Sequence, residues 1–193
     1  MTIFLHHNGK RDAHADQTHV SHHIEYHFCP VCGGETTSVK VKENEPARLV
    51  CSRCSFIFYL DPKLVACVLV ESDDKIALLR RGISPQKGKW VVPGGYVDRG
   101  EKVTAAAIRE TKEECGLKIG ITGLFGVYSY TGQMEVMIFY LAEVLDGELT
   151  EGDETREAKW FGPAEIPWDQ LAFRSTCDAL RDYYHQQKVT THT

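Results

Sequence analysis

The feature that most constrains the fold of this sequence is a predicted helix whose second half is crowded with carboxylates. The helix is expected over residues 102–114, and Gly116 is its expected C-cap. At about 100° per residue, Glu110 and Glu114 project about 40° apart, and Glu113 projects about 60° to the other side of Glu110. Three carboxylates this close repel one another unless cations lie among them, which is how sites for Mg²⁺ or Mn²⁺ are built.

A surface helix with ordinary ion pairs is the alternative interpretation of the same residues. Arg109 and Glu113 have the i,i+4 spacing that such a pair requires. However, Val103, Ala106 and Ala107 fall on the same half of the helix as the glutamates, which is not how a solvated face is composed. The charge pattern alone leaves both interpretations open.

The longer stretch around this helix resembles the Nudix box. That pattern is a glycine, five residues, Glu, seven residues, Arg-Glu, an apolar residue, any residue, Glu-Glu, any residue, Gly and an apolar residue. Eight positions match in register: Gly95, Glu101, Arg109, Glu110, Glu113, Glu114, Gly116 and Leu117. One position departs, because Thr111 stands where the pattern prefers an aliphatic residue for packing.

The resemblance implies a pyrophosphohydrolase that uses divalent metal to cleave a diphosphate linkage in a nucleoside diphosphate derivative. It implies that Mg²⁺ or Mn²⁺ is held by Glu110, Glu113 and Glu114 with the main-chain carbonyl near Gly95. Glu101 is expected to anchor the geometry of loop and helix, and Arg109 to orient a glutamate. Family members also use a carboxylate from a later loop, as ligand or general base. Glu154 is the candidate here, followed by Glu157 and Asp153.

Two cysteine pairs precede this region. Cys29-Pro30-Val31-Cys32 and Cys51-Ser52-Arg53-Cys54 are separated by eighteen residues, a spacing typical of zinc sites. Four sulfurs fill a tetrahedral shell and leave no open position, so Cys29, Cys32, Cys51 and Cys54 predict a structural zinc ion. The remaining three of the seven cysteines are expected to be small apolar side chains: Cys67, Cys115 and Cys177.

The chain is predicted to contain three segments. Residues 1–27 hold seven of the nine histidines without an apolar pattern and are expected to form a disordered tail. Residues 28–60 should form a zinc ribbon, and residues 61–193 the hydrolase domain. The expected fold is α/β, a Nudix-type α/β/α sandwich with a mixed sheet. Strands are predicted near 64–70, 76–79, 90–92, 121–130, 134–145 and 158–161, with a last helix over about 174–187.

The resemblance covers roughly residues 28–187 and is greatest to zinc-ribbon Nudix proteins, which include FAD and ADP-ribose diphosphatases. FAD or ADP-ribose is therefore the favoured substrate. NADH diphosphatases also have four zinc-binding cysteines, but they carry a Ser-Gln-Pro-Trp-Pro-type run where this chain has Val127-Tyr128-Ser129-Tyr130-Thr131-Gly132. Four aromatic residues are candidates for stacking on a substrate, although each could instead be core: Tyr96, Tyr128, Tyr130 and Phe173.

The net charge and the hydropathy of the sequence limit the classes of binding partner that we expect. The formal net charge is -5, and residues 28–60 carry no basic stripe, so nucleic acid is disfavoured. An RNA-directed (decapping) protein or a nucleotide sensor is kept as an alternative. No apolar run approaches the roughly 20 residues that span a bilayer, so we expect a cytoplasmic protein with a small-molecule nucleotide substrate and no membrane partner. The sequence leaves it undecided whether the protein forms a homodimer.

Overall fold

The computed structural model describes residues 26–190, the last two by their backbone alone. The predicted tail therefore lies outside the described residues, apart from its last two positions. The chain divides into two compact units, with the boundary after Asp61. None of the helices between residues 26 and 190 has the length and the apolar composition that a membrane span requires.

The first unit is a small antiparallel sheet with almost no hydrophobic core. Its strands have the order β1-β2-β3: β1 (Thr36–Val39), β2 (Arg48–Cys51) and β3 (Ile57–Phe58). From residue 26 to residue 61, the buried residues are Cys29, Gly34 and Cys51. Two of these three are predicted zinc ligands, so we expect the unit to need a bound metal for stability.

The second unit is built on a mixed sheet of order β10-β5-β4-β9-β8, with β6 beside β5 and β7 beside β4. Its strands are β4 (Lys63–Ser72), β5 (Lys75–Arg81), β6 (Trp90–Val91), β7 (Gly94–Tyr96), β8 (Lys118–Ser129), β9 (Glu135–Asp146) and β10 (Thr155–Phe161). The pair β4–β9 is parallel and the other pairs are antiparallel. The predicted mixed sheet is confirmed.

Two helices cover the two faces of this sheet: α1 (Val103–Cys115) and α2 (Arg174–Thr190). Successive residues of a strand point to opposite faces, and β4 is buried on both. Ala66, Val68 and Val70 pack with α1, whereas Cys67 and Leu69 pack with α2. This arrangement is the predicted α/β/α sandwich.

The strand β7 differs from the sequence prediction. The strand predicted near 90–92 includes neither Gly94 nor Gly95, but these two residues pair with Cys67 and Ala66 of β4. A Cβ at Gly94 would lie 2.4 Å from the carbonyl oxygen of Ala66, so the close approach of the two strands requires glycine. The strands β4 and β5 pair only beside the turn that joins them, and β7 pairs with the earlier part of β4.

The departure from the motif at Thr111 is accommodated within α1. Thr111 is fully buried among the small residues of that helix. Its hydroxyl donates to the carbonyl oxygen of Ala107 at 2.8 Å, so burial leaves no unsatisfied polar atom there. Threonine thus fills the packing position that the pattern assigns to an aliphatic residue.

Candidate functional site

The short strand β7 brings its backbone against the glutamates of α1. Glu114 is partly buried and accepts a hydrogen bond from the backbone N–H of Gly94 at 2.8 Å. The carboxylate of Glu110 lies over Gly95, where an added Cβ would be 2.3 Å from the carboxyl carbon. Glu113 extends into solvent, with a side chain 60% exposed. Two of the three predicted metal ligands therefore face the strand, and the third lies at the rim.

Arg109 links these glutamates to Glu101. Its guanidinium donates to both carboxylate oxygens of Glu101, at 3.0 and 2.9 Å, and to Glu110 at 2.7 Å. The 3.3 Å pair with Glu113 that the surface-helix interpretation predicts is also present. Glu101 in turn accepts from the backbone N–H of Asp98. Arg109 thus contacts three carboxylates, and Glu101 joins the preceding loop to the helix.

The cluster around Glu114 is short of positive charge. The pKa of Glu114 is raised to about 7, first by burial and then by the nearby carboxylates of Glu110 and Glu154, against the opposing effects of the Gly94 N–H and the charge of Arg81. A carboxylate with this environment favours any cation that can approach it. Oxygen donors with excess negative charge suit a hard divalent ion.

The loop between β9 and β10 places Glu154 in this cluster. The backbone N–H groups of Thr150 and Gly152 donate to the carbonyl oxygens of Cys115 and Glu114, so the loop caps the end of α1. The carbonyl oxygen of Glu154 accepts from the N–H of Gly82 at 2.7 Å.

The other two candidate loop acids are placed differently. Asp153 is exposed. Glu157 is paired with Arg80 and Lys159. Of the three candidates, Glu154 is the one whose charge acts on Glu114.

Two of the four candidate aromatic residues lie away from this cluster. Tyr128 is 8% exposed, packs edge-on against Phe139 in the core and donates to Asp182 of α2 at 2.9 Å. Tyr130 donates to Asp178 of α2 at 2.9 Å and is covered by a guanidinium. Both hydroxyl groups therefore bond to α2, and both residues join that helix to the sheet.

The other two aromatic residues, Tyr96 and Phe173, interact with Arg81, which stands outside the Nudix box. Its guanidinium carbon lies 5.1 Å from the centre of the Phe173 ring. The charge of Arg81 interacts with Glu114, Glu154 and Tyr96. Tyr96 is 55% exposed. Tyr96 and Phe173 are therefore the aromatic residues that the fold brings to the carboxylate cluster.

We expect Gly95→Ala to impair activity because the new Cβ would overlap the carboxylate of Glu110. The displaced glutamate would leave the cluster, and turnover should fall at least about tenfold, which corresponds to roughly 1.4 kcal/mol in the barrier. Gly123→Ala is the matched control, because nothing lies within 4 Å of a Cβ at that position. The measurement is turnover of both variants with thermal melting in parallel. Equal turnover of the two would contradict the packing of Glu110 on Gly95.

The four paired cysteines of the first unit meet at one point. Their sulfurs all lie within 4.8 Å of one another, with Cys32 and Cys51 3.5 Å apart and Cys29 and Cys54 3.7 Å apart. A tetrahedral zinc site with Zn–S distances of about 2.3 Å has S···S edges of about 3.8 Å. The pKa of Cys51 is lowered to about 6 because the backbone N–H groups of Cys54 and Arg53 donate to its sulfur. The donor set and spacing suit zinc.

Comparison with known proteins matches both units. The family described as NUDIX domain matches residues 61–179, and the zinc-ribbon family described as Nudix N-terminal matches residues 27–60. An ADP-ribose pyrophosphatase of Methanocaldococcus jannaschii is 39% identical over 119 residues, which cover 60% of this chain and 69% of that protein. An NAD-capped RNA hydrolase NudC of Vibrio parahaemolyticus is 29% identical over 143 residues, 72% of this chain. The match spans 52% of that NudC, about half its length.

A solved structure resembles most of the chain. The crystal structure of a NUDIX hydrolase from Nitrosomonas europaea superposes with a TM-score of 0.80 at 34% sequence identity. The superposition covers 84% of this chain and 93% of that one. The likeness therefore extends beyond the sheet and its two helices.

Proposed function

Because this chain belongs to the Nudix hydrolase family, we propose that it hydrolyses the diphosphate linkage of ADP-ribose or of FAD. The observation that carries the proposal is the carboxylate cluster of α1, held against β7 and short of positive charge. The resemblance to an ADP-ribose pyrophosphatase favours ADP-ribose among the nucleoside diphosphate derivatives.

The residues of the cluster fit a catalytic Mg²⁺ or Mn²⁺. Glu110, Glu113 and Glu114, with the Gly95 carbonyl, would hold it, and bound metal would supply an activated water and neutralise charge on the phosphoryl oxygens. Arg109 keeps Glu110 in place and Glu101 fixes the loop. In the first unit, the four clustered cysteines would hold zinc with a closed shell, which gives that ion a structural part.

Glu154 is proposed to act on the attacking water molecule or as a further metal ligand. It is exposed, and the loop that carries it is bonded to the end of α1. A carboxylate in that position can accept a proton from a water molecule or complete the metal shell. Its place beside Glu114 supports this part over Glu157, which is neutralised by Arg80 and Lys159.

Hydrolysis of NADH or of an NAD-capped RNA is the second candidate function. It is supported by the similarity to NudC proteins, which spans about half the length of those relatives. NADH, NAD-capped ends, FAD and ADP-ribose share an AMP half joined through a diphosphate. The net charge of -5 favours the small molecules, because an RNA substrate needs clustered positive charge.

The substrate is tested by offering ADP-ribose, FAD, NADH and NAD-capped RNA in parallel, with Mg²⁺ or Mn²⁺. We expect AMP and ribose 5-phosphate from ADP-ribose, and one labelled phosphate when the water carries heavy oxygen. A Glu114→Gln preparation purified in the same way controls for contaminating phosphatases. Faster cleavage of NAD-capped RNA at low salt would favour the second candidate. Hydrolysis of nucleoside triphosphates alone would contradict both.

A further inference from the structure

Two adjacent arginines at the end of β5 have different surroundings. Arg80 is exposed, donates to the carbonyl oxygen of Gly88 at 2.9 Å and pairs with Glu157 at 3.3 Å. Arg81 is half-buried, and its charge acts on Glu114 and Glu154 instead. Both side chains are arginines and they are adjacent in the sequence. Their different surroundings therefore come from the fold.

The guanidinium of Arg81 is held from two sides. Its Nε donates to the carbonyl oxygen of Pro85 at 2.8 Å, and the ring of Phe173 stacks against it at 5.1 Å. Cation–π stacking of this kind is worth about 0.5–1 kcal/mol at an exposed site and more where water is excluded. The next residue, Gly82, bonds the backbone of Glu154 at 2.7 Å, so the end of β5 is tied to the loop that carries this carboxylate.

A fixed positive charge among carboxylates has two opposed effects on what binds there. It repels a divalent cation that the same carboxylates attract, and it attracts an anionic ligand. A guanidinium also matches the geometry of phosphate oxygens, to which it can donate two parallel hydrogen bonds.

We propose that Arg81 is a substrate-positioning cation that binds the diphosphate of the substrate and at the same time weakens metal binding to the carboxylate cluster. This inference rests on the proposed function for its substrate and on the carboxylate cluster for its metal. Phe173 is then a support for Arg81 and not a platform for a base, because its ring is stacked on the guanidinium. The charge of Arg81 makes metal affinity and substrate affinity change in opposite directions.

The metal arm of the test needs no turnover. Mn²⁺ binding to the zinc-loaded full chain is measured by electron paramagnetic resonance without substrate. We expect Arg81→Gln to bind Mn²⁺ about fivefold more tightly, because a repelling charge is gone. Arg81→Lys keeps the charge and should stay near wild type. Arg80→Gln is the matched control and should not change, since Arg80 is paired with Glu157.

The substrate arm measures KM and kcat for ADP-ribose at saturating Mn²⁺. Arg81→Gln should raise KM about tenfold or more, the loss of about one charge-assisted phosphate contact, with a smaller change in kcat. Arg81→Lys should recover part of this. Phe173→Leu should raise KM about threefold, because the guanidinium loses its support.

The following outcomes decide the inference. Unchanged Mn²⁺ affinity and unchanged KM in a folded Arg81→Gln would overturn it, as would equal effects in Arg80→Gln. If Arg81→Gln does not fold, the other two variants decide the positioning part. A KM equal to that of the wild type in both Phe173→Leu and Arg81→Lys would overturn it. Failure of the wild type to hydrolyse any diphosphate would contradict the proposed function, while the Mn²⁺ arm would still test Arg81.

Discussion

Replacing Glu114 with Gln is expected to lower turnover about a thousandfold while the protein stays folded. The substitution removes one negative charge from the centre of the cluster and barely alters the volume of the side chain. Charge stabilisation supplied by a bound metal is worth several kcal/mol in the transition state, and each 1.36 kcal/mol is tenfold in rate. The measurement is turnover of the best substrate at saturating Mg²⁺.

Thr111→Val is the matched control for this prediction. Thr111 lies in the same helix, but it is fully buried, and its hydroxyl bonds within the helix. Valine has nearly the same shape, so this variant should keep turnover within about a factor of two or three. Near-normal turnover of Glu114→Gln would show that the metal-site interpretation is wrong. An unfolded Glu114→Gln beside an active Glu110→Gln would instead make these glutamates structural ion-pair partners.

The same substitution has an expected effect on stability. Burial raises the pKa of Glu114 to about 7, above the ordinary value for a glutamate. The folded state therefore binds the proton more tightly than the unfolded state, and stability falls as the pH rises from the ordinary value through about 7. In chelator at pH 8, Glu114→Gln should accordingly melt at or above the temperature of the wild type.

The parts of the site that depend on local spacing could be predicted from the sequence. The glutamates of α1 lie within two turns of one helix, and each cysteine pair lies within one tight turn. Such positions follow from the helical period and from turn geometry, without knowledge of what packs against them. The predicted helices began and ended within a few residues of α1 and α2 for the same reason.

The strand β7 could not be predicted in this way. Pro93, Gly94 and Gly95 are strand-breaking residue types, and a strand of three residues has no alternation to detect. The strand β7 forms because β5 pairs only with the last residues of β4 and leaves the rest of that edge of β4 unpaired. Glycine permits the close approach of β7 to this edge. The sequence pattern therefore contains Gly95 and Glu114 but gives no sign that this backbone pairs with β4.

The aromatic residues and Arg81 show a second limit. Tyr128 lies near the end of β8 and Tyr130 follows that strand, and both rings are engaged by α2, which begins more than forty residues later. In the same way, the register of β10 against β5 decides that Arg80 faces Glu157 while Arg81 is left for the cluster. Long-range pairing of this kind leaves no local signal in the sequence.

Removing the metal from the cysteine cluster is expected to unfold the first unit while the sheet of the second unit persists. From residue 26 to residue 61 there are three buried residues, and two of them are cysteines of the cluster. Binding of a structural zinc ion supplies about 10 kcal/mol or more, which no hydrophobic core in this unit could replace. Elemental analysis of protein purified without added metal should find about one zinc ion per chain.

The test compares hydrogen exchange in Cys51→Ser and in Cys177→Ser, whose cysteine lies outside the cluster. In Cys51→Ser, the amides of β1, β2 and β3 should lose protection by several orders of magnitude, and those of β4 and β9 should keep it. Cys177→Ser should exchange like the wild type, because its thiol binds no metal in this scheme. Protected amides in β1 to β3 of a zinc-free Cys51→Ser would show that the unit folds without the ion. Four thiolates at these distances can hold either zinc or iron. Stoichiometric iron in the purified protein would therefore contradict the assignment of zinc.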